Sequence, residues 1–287
     1  MNGNTQSLAL LTKTDNVPFS KLLPVAAAIQ KQLDGEFLQA WSRHGSITAW
    51  ENPDTLPQDY APIFICDTIP DPRLAGFHST NDQKPYANIL YNVTEDWSID
   101  VSHEALEIVV DPQGKTLQSA PSPIPEQGQV DFLVEICDPP GRGAFYWIDN
   151  VKVADFCLKN YFDATLTPGT VCSHHEALTA AFQILPGGYL TWRDTTGQWW
   201  EQHNVGYMLP PEQITPPNIG ASLREQIDMI TRPKLLAFSA TSTKRRPRGT
   251  VKEAQARKIA ANKIRRHTDW LHRQLKAFDA QQLRKTT

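Results

Sequence analysis

The stretch Val101-Ser102-His103-Glu104-Ala105-Leu106-Glu107 decides how this chain is read. It sets a histidine and a glutamate four residues apart, with a second glutamate directly after the histidine. On a helix, positions i and i+4 lie on one face, one turn apart. His103 and Glu107 placed in this way can grip one metal ion, with Glu104 beside them. Two acids and a histidine this close also occur on many solvated helix faces. The neighbours argue for burial instead: Ile99, Val101, Ala105, Leu106, Ile108, Val109 and Val110 surround the polar residues. Burying a carboxylate without a partner is expensive, so buried acids are usually paired or bound to metal.

Working outward, the segment before this helix is strand-like. Residues 86–93 (YANILYNV) and 61–69 (APIFICDTI) are rich in β-branched and aromatic side chains, and residues 46–50 form a third short candidate. Residues 18–41 predict an amphipathic helix, with Leu22, Val25, Ala26, Ile29, Leu33, Phe37 and Leu38 near a 3.6-residue spacing. Pro24 lies near its start, where proline is tolerated, and Gly35 is a point of interruption. On the other side, Asp111-Pro112 ends the central helix. Residues 113–129, rich in Pro, Gly, Ser and Gln, read as a loop. Residues 130–137 (VDFLVEIC) are apolar with an embedded acid. Asp149-Asn150 is a hairpin turn between two short strands within 145–156. Residues 185–192 (LPGGYLTW) and 198–200 predict a turn and further strands, and 222–230 a short helix.

The order helix, strand, strand, strand, helix over residues 18–112 resembles the upper half of a zincin, the fold of the H-E-x-x-H zinc peptidases. In that motif both helical ligands are histidine and the glutamate between them is the general base. Here Glu107 stands at the second histidine, giving H-E-x-x-E. The resemblance implies a mixed α/β (α+β) domain in which residues 86–93 form the sheet edge that holds extended substrate by strand addition. It implies Glu104 as catalytic base and His103 and Glu107 as ligands. In the gluzincin branch a downstream glutamate closes the site and an aspartate shortly after it orients the first histidine. Glu135 lies 28 residues beyond Glu107, and Asp138 three beyond Glu135. Glu135 is therefore the expected third ligand, with Asp138, Asp111 and His78 as alternatives. The expected chemistry is peptide hydrolysis, with Glu104 taking the proton of a metal-activated water. Zinc is the expected metal. A His/Glu/Glu set carries one more negative charge than His/His/Glu, which also admits Mn or Fe.

The segments GFHSTNDQKPYA (76–87), WSIDVSHEALEIVVDP (97–112), VEICDP (134–139), VADFCLKNYFD (153–163) and LPGGYLTW (185–192) resemble a group of uncharacterised bacterial and phage proteins sharing an S-H-E-x-L-E core. That resemblance brings forward His78 and Asp155 as site residues without giving them roles. His175-Glu176-Ala177-Leu178 echoes the central motif, but Thr179 stands where a ligand is needed. His174-His175 read as loop histidines, Gly187-Gly188 as a tight turn and Trp199-Trp200 as core.

The 287 residues have 40% hydrophobic content and eight tryptophans, enough for a sizeable core. The net charge of −3 conceals an asymmetry. Residues 1–239 hold 14 basic against 28 acidic side chains, and residues 240–287 hold 14 against 3. The expected organisation is a zincin-like domain over 1–235, a linker over 236–250 and a basic amphipathic helix over 251–287. That helix suits nucleic acid, an acidic protein partner, a membrane surface or the chain's own acidic body. A non-catalytic zincin-like scaffold that binds such a partner through its tail is the alternative to a peptidase acting on peptide or protein substrates. The start lacks the pattern of a signal peptide, and no stretch approaches about 18 consecutive apolar residues. Cys66, Cys137, Cys157 and Cys172 show no C-x-x-C spacing and are expected as buried free thiols. These features predict a cytoplasmic chain without a membrane span.

Overall fold

In a computed structural model, residues 5–70, 74–91, 96–216, 223–227 and 230–231 are described. The N-terminal part alternates strand and helix. Strand β1 (Gln6–Thr12) leads into helix α1 (Phe19–Gln32), which accommodates Pro24 in its second turn. The helical path is distorted over Leu33–Phe37, where Gly35 leaves helical geometry at φ −92° and ψ −112°, and resumes as α2 (Leu38–Trp41). The strands β2 (Gly45–Ala49), β3 (Tyr60–Cys66), β4 (Gly76–Asn81) and β5 (Lys84–Leu90) follow, and then helix α3 (Trp97–Val110). They build a sheet in the order β2-β1-β3-β5-β4, parallel except for β4. Parallel strands covered on both faces need apolar side chains on both. On β1 both faces are buried, Leu8 and Leu10 on one and Ala9 and Leu11 on the other, and Ile63, Ile65, Ala87 and Ile89 line the first of these faces.

Sequence reasoning places β5 at the sheet edge, and the structure corrects this. Asp82 and Gln83 both take positive φ (49° and 66°), the conformation of a two-residue hairpin turn. The turn folds β4 back along β5, so β5 is flanked on both sides and β4 is the edge.

The C-terminal half is antiparallel. Residues 113–129, expected as a loop, contain strand β6 (Leu117–Pro121), which pairs with β7 (Gln129–Leu133). The hairpin β8 (Phe145–Ile148) and β9 (Val151–Ala154) turns at Asp149-Asn150 as expected, with φ 47° and 65°. The strands β10 (Tyr189–Arg193), β11 (Trp199–His203) and β12 (Glu212–Ile214) complete a second sheet in the order β12-β11-β10-β7-β6. Residues 223–227 are helical. The fold class is thus mixed α/β of the α+β kind.

Helix α3 lies between the first sheet and the β8–β9 hairpin, and of its 14 residues all but the partly exposed His103 are buried. Trp192, Phe132 and Phe182 form a ring cluster under the second sheet, and Trp200 stacks on Trp192, so the Trp199-Trp200 pair belongs to packing. All four cysteines are free and buried. Among the described residues no helix is long and apolar enough to cross a membrane. The linker expected at 236–250 and the basic helix at 251–287 lie outside the described residues.

Candidate metal centre

A helix buried on every side must satisfy each polar side chain it carries. On α3 each polar side chain has a partner. Ser98 Oγ donates to Lys152 O, at 2.9 Å. Ser102 Oγ donates to Gln32 Oε1 and accepts from Ala154 N. Gln32 in turn donates to Tyr146 Oη and Ala154 O. These bonds fasten α3 to α1 and to the hairpin, directly beside His103. Asp100 accepts both arms of the Arg142 guanidinium, at 2.6 and 2.9 Å.

The remaining polar stripe of α3 meets the segment after β7. His103 Nε2 lies 3.2 Å from Glu107 Oε2 and 3.2 Å from Asp138 Oδ1. One ligand atom from each of His103, Glu107 and Asp138 lies within 4.8 Å of the others. Glu104, one residue along from His103, accepts from His78 Nδ1 of β4 at 2.9 Å. Gly76, two residues before His78 on the same strand, leaves room here: a Cβ at Gly76 would lie 3.3 Å from Glu104 Oε1.

The backbone of residues 134–139 is fixed from three sides. Cys137 N donates to Glu107 Oε1 at 3.0 Å, Cys157 N to Ile136 O, and Tyr189 N to Asp138 O. The Pro186-Gly187-Gly188 turn presses on the same segment. A Cβ at Gly188 would stand 2.5 Å from Pro139 O and 2.6 Å from Asp138 O, so only glycine permits this approach. The tight turn expected at Gly187-Gly188 is present, and its role is to seat Asp138.

The centre opens into a cleft of about 200 Å³ lined by Leu74–His78 of the β4 side, His103, Glu104, Glu107 and Asp138, with Arg142, Tyr189 and Arg224 also on its wall. Arg224 donates to Thr191 Oγ1 and Glu201 Oε2, both at 3.0 Å, and Glu201 also contacts His203. Comparison with family models, with curated proteins and with solved structures finds no match. Function has to be inferred from the geometry and charge of the site itself.

Charge is unbalanced in this cluster. Glu104, Glu107, Glu135 and Asp138 are all at least 94% buried, against His78, His103 and the Arg224 guanidinium. Burial pushes the Glu135 carboxyl well above the usual range, and Glu107, Asp138 and Asp111 push it further. Neither oxygen of Glu135 has a hydrogen-bond partner, and neither has His78 Nε2. Burial also raises Glu104, more than the His78 hydrogen bond lowers it. Glu107 differs: against the push of burial, His103, His78 and the Cys137 N–H hold it down at about 2. His103 is raised well above its ordinary 6.5, because Glu107 and Asp138 outweigh the opposing effect of burial. One imidazole and two carboxylates with ligand atoms within 4.8 Å of one another, in a cluster rich in buried carboxyl groups, fit a divalent cation.

Of the residues singled out from sequence, His103 and Glu107 lie one turn apart on α3 with ligand atoms 3.2 Å from each other, and Glu104 lines the same cleft. Asp138 joins His103 and Glu107 in their ligand group, and Glu135 does not: it is buried behind His78, its Oε2 3.8 Å from His78 Nε2. His78, named as an alternative, forms a second group with Glu104 and Glu107. Asp111 is occupied elsewhere, accepting from Thr116 N and Oγ1 at 2.6 and 2.8 Å. Asp155 accepts from Phe156 N and His175 N, away from the cluster, with its Oδ2 unpartnered. His174 and His175 pack against Tyr146 and Phe156. Sequence reasoning missed Arg142, Arg224, Gln32 and Ser102. Only Ser102 carried a signal, being a polar residue on the buried side of an apolar helix.

Proposed function

We propose that this chain is a metal-dependent hydrolase of peptide bonds, with a zincin-like arrangement in which His103, Glu107 and Asp138 hold the ion and Glu104 is the base. The observation that carries the reading is the meeting of those three ligand side chains at the floor of an open cleft, one residue from a carboxylate that lines the same cleft. The strand-then-helix order around the H-E-x-x-E segment supports it. Asp138 replaces Glu135 as third ligand in this reading, and Glu135 supports His78.

A divalent ion held by His103, Glu107 and Asp138 would supply Lewis-acid polarisation and a more acidic water. Glu104, beside that site and lining the same cleft, would carry a proton from a water to the departing amine. Its raised pKa brings it nearer to the operating pH, where a base also works as an acid in the next step. His78 orients the carboxylate. Strand β4, at the sheet edge and on the cleft wall, offers its backbone to an extended chain. Zn²⁺ suits one imidazole and two carboxylates, and the same donors suit Mn²⁺ or Fe²⁺.

The test uses the full chain, purified without chelator or a metal-binding tag. Its metal content is measured, and its hydrolysis of a fluorescently labelled unfolded protein is followed. The wild type is expected to carry near-stoichiometric metal. Glu104→Gln keeps that metal and loses hydrolysis by about 100-fold or more, whereas Glu107→Ala loses the metal. Metal-free wild-type protein, or Glu104→Gln hydrolysing at the wild-type rate, would sink the proposal.

A further inference from the structure

A second group of donors meets on the same glutamate. His78 Nδ1 stands 2.9 Å from Glu104 Oε2 and 3.6 Å from Glu107 Oε2, and the three side chains again offer atoms within 4.8 Å of one another. Glu107 Oε2 is common to both groups, since it also lies 3.2 Å from His103 Nε2. Acids gather on many proteins without an ion, so the supporting observation lies behind them. His78 is 2% exposed and its Nε2 has no hydrogen-bond partner; Glu135 is 4% exposed and both of its oxygens are unpartnered. Glu135 Oε2 faces that Nε2 across 3.8 Å. A carboxylate at the far nitrogen of an imidazole holds the ring proton there and leaves the near nitrogen's lone pair for a metal. Glu135 stands just short of hydrogen-bond contact with Nε2, and closing that gap would draw the ring proton away from Nδ1, where Glu104 accepts it, and free Nδ1 for an ion beside Glu104 and Glu107.

We propose that the chain binds a second divalent cation through His78 Nδ1, Glu104 and Glu107, with Glu107 shared between the two ions. The proposal rests on the metal-dependent reading of the first site. The four carboxyl groups of the cluster, once ionised, carry twice the charge that one divalent ion offsets. Ions in two-metal sites of this kind stand about 3.5–4 Å apart. The second ion displaces the proton shared by His78 and Glu104 and occupies the carboxylate that serves as base. It is therefore inhibitory: hydrolysis rises as the first ion binds and falls as the second follows.

Mn²⁺ is the probe. The full chain, stripped of metal and dialysed, is titrated with Mn²⁺ while bound ions are counted and the electron paramagnetic resonance spectrum is recorded. The expected result is two ions per chain, the second weaker, with the six-line signal of an isolated ion giving way to an exchange-coupled spectrum as the second ion binds. His78→Gln is expected to stop at one ion with no coupling. A wild type that saturates at one ion overturns the second site and leaves the proposed function standing. Two ions that stay uncoupled place the second away from Glu107 and overturn it as well. No bound ion overturns both readings. The wild-type spectrum decides the matter even if the variant fails to fold.

Discussion

Glu104 and Glu107 stand three residues apart on one helix in opposite electrostatic settings. Burial raises both, but Glu107 is held at about 2 by two histidines and a backbone N–H, while Glu104 stays above its ordinary value. In the proposed mechanism this separation would divide the labour between Glu107 as a permanent anion and Glu104 as a proton carrier. His103 makes the site sensitive to pH. Its pKa is raised well above the ordinary 6.5, and an imidazole must be neutral to bind a metal. Under the proposed reading, ion uptake would release the His103 proton, and apparent affinity should climb by about tenfold per pH unit while His103 remains protonated in the free protein. Titrations at pH 6 and pH 7 in matched buffers check this; equal affinities would contradict it. Glu135 gives a prediction of the opposite kind. Its carboxyl is raised in the folded state, so folding takes up protons and stability falls as pH rises above its ordinary 4.5. Glu135→Gln removes that loss. Melting of the chelator-treated variant should exceed wild type by more at pH 8 than at pH 5.

At the scale of elements, legibility in the sequence depends on how strongly a segment expresses one period. Helix α3 and strand β3 are legible because apolar residues fill them, and the β8–β9 hairpin because Asp-Asn marks its turn. Strand β4 (GFHSTN) is not: at a sheet edge half its side chains need no apolar character, and the residues that matter, Gly76 and His78, line the cleft. Strand β6 (LQSAP) buries only Ala120 and shows no alternation. The i, i+4 spacing makes His103 and Glu107 visible, because it lies within one element. The choice between Glu135 and Asp138 is hidden, since β7 ends at Leu133 and the chain then turns irregularly. What fixes Asp138 is the distant Gly188. Gly188→Ala would drive a methyl into the carbonyls of Asp138 and Pro139, which are backbone and cannot swing aside. Overpacking of this kind costs about 1–3 kcal/mol. The variant should melt earlier and bind the ion more weakly. A Gly188→Ala protein that matches wild type in metal affinity would show that the turn does not seat Asp138.

For the whole molecule, α3, the segment 134–141 and the β8–β9 hairpin lie where the two halves of the chain come together. An acidic body and a basic tail can be told apart from charge alone, but the antiparallel second sheet cannot be assembled from sequence, because β7 and β10 are joined only through a long intervening stretch that contains the hairpin. Both halves enclose thiols. Cys66 lies in the first sheet, Cys137 directly before Asp138, and Cys157 and Cys172 in the segments after the hairpin, none more than 8% exposed. Burial raises Cys137 and Cys157 well above 9.0, so the reactive thiolate is scarce as well as hidden. A thiol reagent can reach these sulfurs only when the chain opens. The labelling rate thus becomes a clock for opening, and a ligand that binds only the closed chain must slow it. At an ion concentration about 100 times its dissociation constant, labelling of Cys137 should slow by about 100-fold, and in Glu107→Ala it should not slow at all. Mass spectrometry of a single peptide would then report on the metal centre with no substrate in hand.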